Sequence, residues 1–376
     1  MKAYIIYRNV LTLDGRRFQV GGIETYLLGL CEILIEMKIK PIIIQCAHFN
    51  FNKIIEDIEY RGIKHNGGKK YSKYLYNSIK NDLDSQDLLI WGSDEISFKI
   101  SHKRTIAIQH GIAFDYYPEE DKLKNGLKRY GLGHLFKYLQ RKRSLNSFRN
   151  TKYKVCVDYN FWNWYRTFSI PEEDDNIFVI PNFTKIDKTN KNERNDLFIK
   201  VVFARRFVRK RGVEIFIEVV NQLKHIENIH FTFAGEGPYK EQIQRLVDES
   251  NNVFLTRYSP DASLEFHSNF DIAVVPTIGS EGTSLSLLEA MSAGNAVICT
   301  AVGGMTNIIL NEFNGLIVKP NSVEELKASI LRLVEDKDLR IKIAENAKIT
   351  VKEAFSFELW KKSWGKVFNI VINDNA

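Results

Sequence analysis

A chain of 376 residues exceeds what one typical core organises and predicts two domains. Hydrophobic residues at 44% and charged residues at 26% exclude a disordered or fibrous chain, and the absence of any run of 18 apolar residues argues against a membrane-spanning helix. The formal net charge of +7 favours acidic partners: phosphates, nucleic acid or an anionic membrane surface.

The opening stretch MKAYIIYRNV has one lysine and a short strand-like run, without the length or cleavage site of a signal peptide, which predicts a cytoplasmic protein. AYIIY reads as a strand, Gly21-Gly22 opens the helix IETYLLGLCEILIEMK, and PIIIQC, DLLIWG and RTIAIQ follow as strands. From Lys122 to Lys154 there are eleven Lys or Arg residues and no acid, interleaved with Leu123, Leu127, Leu132, Leu135, Phe136 and Leu139. This reads as a basic amphipathic helix, or a pair broken near Gly131 and Gly133. It is either a solvated face or a surface for anionic lipid or a phosphate-bearing acceptor. No nucleic-acid partner is expected, because no recognised binding motif accompanies the charge.

YKVCV and IFVI complete the strands of the first half. Thr184 to Asp196, TKIDKTNKNERND, is polar and lacks apolar periodicity, as a linker would. LFIKVVFA, IHFTFAG, NVFLT, DIAVVP, NAVICT and GLIV then repeat the strand pattern, and SFELWKKSWGKVFNIVI reads as a terminal helix. Near-continuous apolar strands alternating with amphipathic helices predict α/β architecture, with parallel sheets covered on both faces. The predicted organisation is a doubly wound domain over 1–183, a second over 184–355 and a terminal helix over 356–376. Ligands of such sheets lie at the carboxyl ends of the strands.

GSEGTSLSLLEAMSAGNAVICT, Gly279 to Thr300, places two glutamates between an apolar strand and a buried helix. A carboxylate without an evident basic partner is costly to bury, so Glu281 and Glu289 are candidates to accept hydrogen bonds from a ligand. Gly282 permits close backbone approach, and Thr283 or Ser284 suits a helix cap. The free amides and positive dipole end of that helix suit a phosphate. Glu289 lies about one and a half turns into the helix at 3.6 residues per turn.

This segment, with FARRFVRKRGVEIF upstream, resembles the retaining GT-B glycosyltransferases, in particular glycosyltransferase family 4. The resemblance implies that Glu281 contacts hydroxyls of the donor sugar, that Glu289 holds the ribose, and that the amides of Gly282, Thr283, Ser284 and Leu285 receive the diphosphate. Aligned on Gly212, the cationic residues that meet the diphosphate are Arg206 and Arg211, with Lys210 as the alternative to Arg211. Arg205 stands where the family usually has glycine. By the same resemblance Gly21 and Gly22 approach the donor phosphates and acceptor, His110 touches the donor sugar, and the terminal helix returns to the first domain. FVIPNF matches the family's hinge, with Phe183 in place of a glycine, and FAGEGP matches its glycine-rich turn. VGGMTNII lacks the family's acidic residue and is read as structural.

Cys31, Cys46, Cys156 and Cys299 have no ligand-like spacing, and Cys46 with His48 supplies only two ligands. Asp82–Asp84 and Asp336–Asp338 have metal-motif spacing but lie in polar helix-end surroundings. No metal and no cofactor are therefore expected. The implied function is transfer of a sugar, with retention, from a nucleotide-sugar donor to a saccharide or lipid-linked acceptor, in cell-surface polysaccharide or glycolipid synthesis. The alternatives are a nucleotide-sugar epimerase of this fold and a non-catalytic basic protein that binds membrane or nucleic acid.

Overall fold

The computed structural model describes residues 1–19, 21–68, 70–112, 114, 130–168, 176–186, 198–279 and 281–374. Lys122, Lys124, Lys128 and Arg129 of the basic segment, and 187–196 of the expected linker, lie outside the described residues. The described residues of Met1–His110, Leu127–Pro181 and Trp360–Ala376 form one compact unit, and those of Gly111–Gly126 and Asn182–Leu359 form a second.

The first unit is built on an eight-stranded sheet: β1 (Lys2–Ile6), β2 (Lys40–Ala47), β3 (Phe51–Ile55), β4 (Ile58–Lys64), β5 (Leu88–Trp91), β6 (Thr105–Gln109), β7 (Tyr153–Cys156) and β8 (Ile177–Val179). The spatial order is β3-β4-β2-β1-β5-β6-β7-β8. Every pairing is parallel except β3 with β4, a hairpin turned at Glu56 and Asp57, both at positive φ. That hairpin is missing from the apolar-run reading. β3 is an edge strand with alternating exposure, and β4 carries Glu59, Arg61 and Lys64, so neither is a continuous apolar run.

Gln45 is fully buried at the β2 end, where its Oε1 accepts from the Val10 and Leu11 amides at 3.0 and 2.8 Å. It thereby fixes the loop after β1. Among the described residues, four helices accompany this sheet: α1 (Gly22–Glu36), α2 (Tyr71–Asn77), α3 (Gly133–Phe148) and α4 (Tyr159–Arg166).

In the second unit the sheet is wholly parallel, with β9 (Ile199–Ala204), β10 (Ile229–Ala234), β11 (Val253–Thr256), β12 (Ile272–Val275), β13 (Ala296–Thr300) and β14 (Leu316–Val318) in the order β11-β10-β9-β12-β13-β14. Val201 and Phe203 enter one core layer while Val202 and Ala204 enter the other, as period-2 strands buried on both faces require. Helices α5 (Val213–Leu223), α6 (Lys240–Asp248), α7 (Ser263–His267), α8 (Leu285–Ser292), α9 (Val323–Glu335) and α10 (Lys337–Ala354) cover the faces. Thr184, the first residue of the expected linker, is tied into this unit by its amide N–H, which donates a hydrogen bond to the Phe355 carbonyl at 3.0 Å.

The last helix, α11 (Phe357–Asn373), contributes Trp360, Trp364 and Phe368 to the first unit. Trp364 is completely buried, and its indole N–H donates to the Tyr26 hydroxyl of α1 at 2.9 Å. Trp364→Ala is expected to reduce the unfolding free energy by about 3–5 kcal/mol, the usual result of emptying a large aromatic site. Trp364→Phe should lose less than Trp364→Ala in urea unfolding followed by circular dichroism. Equal losses would show that packing contributes nothing there.

Candidate active site

In the second unit the sheet order reverses direction between β9 and β12, which pair directly through Ile272 with Val201 and Ala273 with Val202. At such a switch point the loops leaving two adjacent strands part to opposite faces and leave a crevice at the carboxyl edge. Here those loops are 205–212 and 276–284. Gly212 sits at φ +76°, and a Cβ there would come within 1.8 Å of the Pro276 carbonyl oxygen. The Ile278 amide donates to the Lys210 carbonyl at 3.0 Å. Only glycine allows this approach.

Glu281 therefore meets the arginines. Arg205 Nη2 lies 3.1 Å from Glu281 Oε2, and Arg211 Nη1 and the Thr277 hydroxyl reach the same oxygen. Arg205 also bonds Thr277 through Nη1. The Glu281 side chain is 9% exposed, Arg205 5% and Arg211 21%. The sequence shows Glu281 no basic partner; the fold supplies two, because β9 and β12 are adjacent in space, although Arg211 and Glu281 lie 70 residues apart in sequence. Of the predicted cations, Arg211 lies in the cluster and Arg206 is exposed beside it. Arg205, assigned no role from sequence, holds the buried position. Lys210 is half-buried, and its carbonyl helps to join the two loops. Burial first, then the neighbouring charges of Arg205 and Arg206, disfavour the charged form of Arg211 and push its pKa down. Two guanidiniums face one carboxylate, an arrangement that attracts an anion.

The loop that carries Glu281 is held from two further sides. Gly303, at φ +53°, and Gly304 pack on the backbone of Glu281 and Gly282, and the Gly304 amide donates to the Glu281 carbonyl at 3.0 Å. The glycine pair read as structural from sequence is thus a direct support of the site. Asn182, in the PNF stretch, donates from Nδ2 to the Thr283 carbonyl at 2.6 Å. Helix α8 starts at Leu285 with Ser284 as its N-cap, but no side chain caps it; the buried Ser284 hydroxyl faces Ser286 Oγ at 3.3 Å. Ser284 thus takes the expected N-cap position without a side-chain bond to the helix amides. The amides of Gly282 to Leu285 lie on the turn that enters the helix.

Glu289 is on α8, in the same unit. Burial raises its carboxyl to about 7, while Ser263 and then Arg205 pull it down. Tyr258, raised by burial and by Glu289, completes this neighbourhood.

In the first unit, His110 follows β6 and donates from Nε2 to the Gly92 carbonyl at 2.7 Å. A carbonyl only accepts, so Nε2 carries the proton and Nδ1 is an acceptor. Burial depresses the imidazole to about 4, against a smaller opposing effect of the Gly92 bond, so it is neutral at physiological pH. Its ring stands edge-on to Tyr26 at 5.6 Å, and Tyr26 is the residue bonded by Trp364. Gly21 precedes α1 in extended backbone, and an added Cβ would meet only the flexible end of Glu24. Neither the backbone angle nor a rigid neighbour requires glycine there. Gly22 is the first residue of the helix.

Among the described residues no three His, Cys, Asp or Glu side chains gather as a metal site. Asp82 instead pairs with Arg61 at 3.2 Å, and Asp336 caps α10 through the Leu339 amide at 2.9 Å.

The Glu289 carboxyl holds its proton from about pH 4.5 up to about 7 in the folded protein, where the unfolded chain has lost it. Its contribution to stability is therefore complete below 4.5 and lost as the pH rises to 7. Glu289→Gln should raise the melting temperature of the ligand-free protein at pH 8 and change it little at pH 5. A gain at pH 5 that vanishes at pH 8 would contradict this assignment.

Residues 184–350 match the family model described as glycosyl transferases group 1. An uncharacterized glycosyltransferase of Methanocaldococcus jannaschii is 27% identical over 326 residues, which cover 81% of this chain and 79% of that protein. Poly(ribitol-phosphate) alpha-N-acetylglucosaminyltransferase of Staphylococcus aureus is 29% identical over 202 residues, covering 52% of this chain and 40% of that one. The solved structure of Anabaena HepE in complex with UDP-glucose superposes with a TM-score of 0.69 at 14% identity, covering 98% and 99% of the two chains. Residues 184–350 thus match a glycosyl transferases group 1 domain, and the chain has the GT-B fold.

Proposed function

We propose that this protein transfers a sugar, with retention and without a metal, from a nucleotide-sugar donor to a saccharide or lipid-linked acceptor in the synthesis of cell-surface polysaccharide or glycolipid. The observation that carries this reading is the Arg205–Arg211–Glu281 cluster at the switch point of the second unit, with the α8 N-terminus and Glu289 on the same segment. Arg211 and the loop amides of Gly282 to Leu285 stabilise the charge that develops on the leaving diphosphate. Glu281 accepts from donor hydroxyls and Glu289 from the ribose. His110, in the first unit, offers a neutral acceptor nitrogen rather than a cation. The bond from the anomeric carbon to the diphosphate oxygen breaks, and the acceptor oxygen bonds to the same face. The acceptor proton passes to the departing phosphate oxygen. The Staphylococcus aureus relative, named for transfer to poly(ribitol phosphate), and the Anabaena structure with UDP-glucose support a nucleotide-sugar donor and a polymeric acceptor.

Thermal unfolding with UDP, GDP, ADP and dTDP in chelator tests the donor site. One nucleotide at 100 times its dissociation constant should stabilise the protein by about 2.7 kcal/mol, and Glu289→Ala should abolish the shift. No shift with any of the four would sink the reading. With an active donor and acceptor pair, NMR should show retained anomeric configuration and undiminished turnover in chelator. An inverted product, or activity that chelator removes, rejects the corresponding part.

We further propose that the protein works at the cytoplasmic face of an anionic membrane. On α3, Leu135, Tyr138, Leu139 and Lys142 follow helical spacing and are all exposed, next to Arg143. Apolar and basic side chains on one exposed face suit the interface of an anionic bilayer. No helix among the described residues is long and apolar enough to cross a membrane. Sedimentation with phosphatidylglycerol vesicles should exceed that with phosphatidylcholine several-fold and fall when Lys142 and Arg143 become glutamate. Equal binding to both vesicle types would dismiss it.

A further inference from the structure

Arg205 and Arg211 both bond Glu281 Oε2, yet their settings differ. The Arg205 side chain is 5% exposed and has a second partner in Thr277, which is itself fully buried and whose carbonyl accepts from the Thr300 hydroxyl. The Arg211 side chain is 21% exposed, and Arg211 ends the cationic turn Arg209–Arg211, immediately before the left-handed Gly212. Two guanidiniums on one carboxylate oxygen repel each other, and an arriving dianion relieves that repulsion by drawing one of them away. The more exposed arginine with fewer fixed partners is the one that can move.

We propose that Arg205 is the permanent partner of Glu281 and Arg211 the exchangeable one: an entering diphosphate draws Arg211 off the carboxylate while Arg205 keeps Glu281 in place for the sugar. Arg205 is thus a positioning residue, acting through Glu281. The proposal rests on the reading of this crevice as the diphosphate site. Exchange of this kind never leaves Glu281 as an isolated buried charge, since one guanidinium always remains on it. The lowered pKa of Arg211, caused by burial and by the flanking cations Arg205 and Arg206, agrees with a guanidinium in surplus. The opposite assignment would strip Glu281 of its better buried partner and leave the Thr277 hydroxyl without its guanidinium.

Arginine side-chain 15N spectra of the full chain, with and without inorganic pyrophosphate, test the exchange directly. Arg205→Lys and Arg211→Lys supply the assignments. Pyrophosphate should shift the Arg211 guanidinium signals and leave those of Arg205 in place. Movement of both sets together, or an Arg211 signal that saturating pyrophosphate leaves unmoved, overturns the proposal.

Calorimetry and turnover provide a second arm. Arg211→Ala should weaken pyrophosphate about tenfold or more, the value of one charge-assisted hydrogen bond. Arg205→Lys, which keeps a cation on Glu281, should leave that affinity nearly unchanged. Turnover of the donor should fall in kcat in both Arg205→Ala and Arg205→Lys, less in Arg205→Lys, whose KM should stay near constant. A rise in KM alone would make Arg205 a phosphate ligand and reject the positioning role. If pyrophosphate moves only Arg211 while no nucleoside diphosphate stabilises the protein, the exchange stands and the nucleotide-sugar reading falls.

Discussion

The site depends on one contact: a buried carboxylate, Glu281, shared by two guanidiniums. Burying any one of these charges alone would be strongly unfavourable, and their mutual compensation lets all three sit at the crevice. The geometry requires that the loops after β9 and β12 come into backbone contact. Gly212 against the Pro276 carbonyl, and Gly303 and Gly304 against the backbone of Glu281 and Gly282, make that contact possible. The glycines act through shape, the arginines through charge, and both act on the same few atoms of the 276–284 loop.

The first unit orients its own candidate residue differently. His110 gains its orientation from a carbonyl and an aromatic edge, and its neutrality from burial. Behind Tyr26 stands Trp364 of the terminal helix, so the last secondary element of the chain supports a residue at the end of β6. A neutral imidazole with one fixed N–H offers a lone pair of defined direction, which suits recognition of a hydroxyl better than of a phosphate.

The positive charge of the chain has two separate expressions. Around Arg205 and Arg211 it is buried and compensated by Glu281, an arrangement suited to binding an anion in a fixed geometry. On α3 it is exposed beside Leu135, Tyr138 and Leu139, where salt screens it. The first kind suits an anion held in one geometry, and the second suits an extended anionic surface.

The sequence by itself determined the two parallel sheets, because doubly covered strands must be apolar throughout and so leave long readable runs. It also located Glu281, Glu289, Arg211 and His110, each at the carboxyl end of a run or in the segment that follows. The β3–β4 hairpin escaped it, because an edge pair with Glu59 and Arg61 has no continuous apolar signal. Only the tertiary structure decided that Arg205 rather than Arg206 is buried against Glu281. Consecutive residues leaving a strand point to opposite sides, and which side meets the neighbouring loop is set by the order of the strands. The role of Gly303 and Gly304 was invisible for the same reason: local sequence shows a turn, while what the turn must fit against comes from a segment twenty residues away that folding brings into contact.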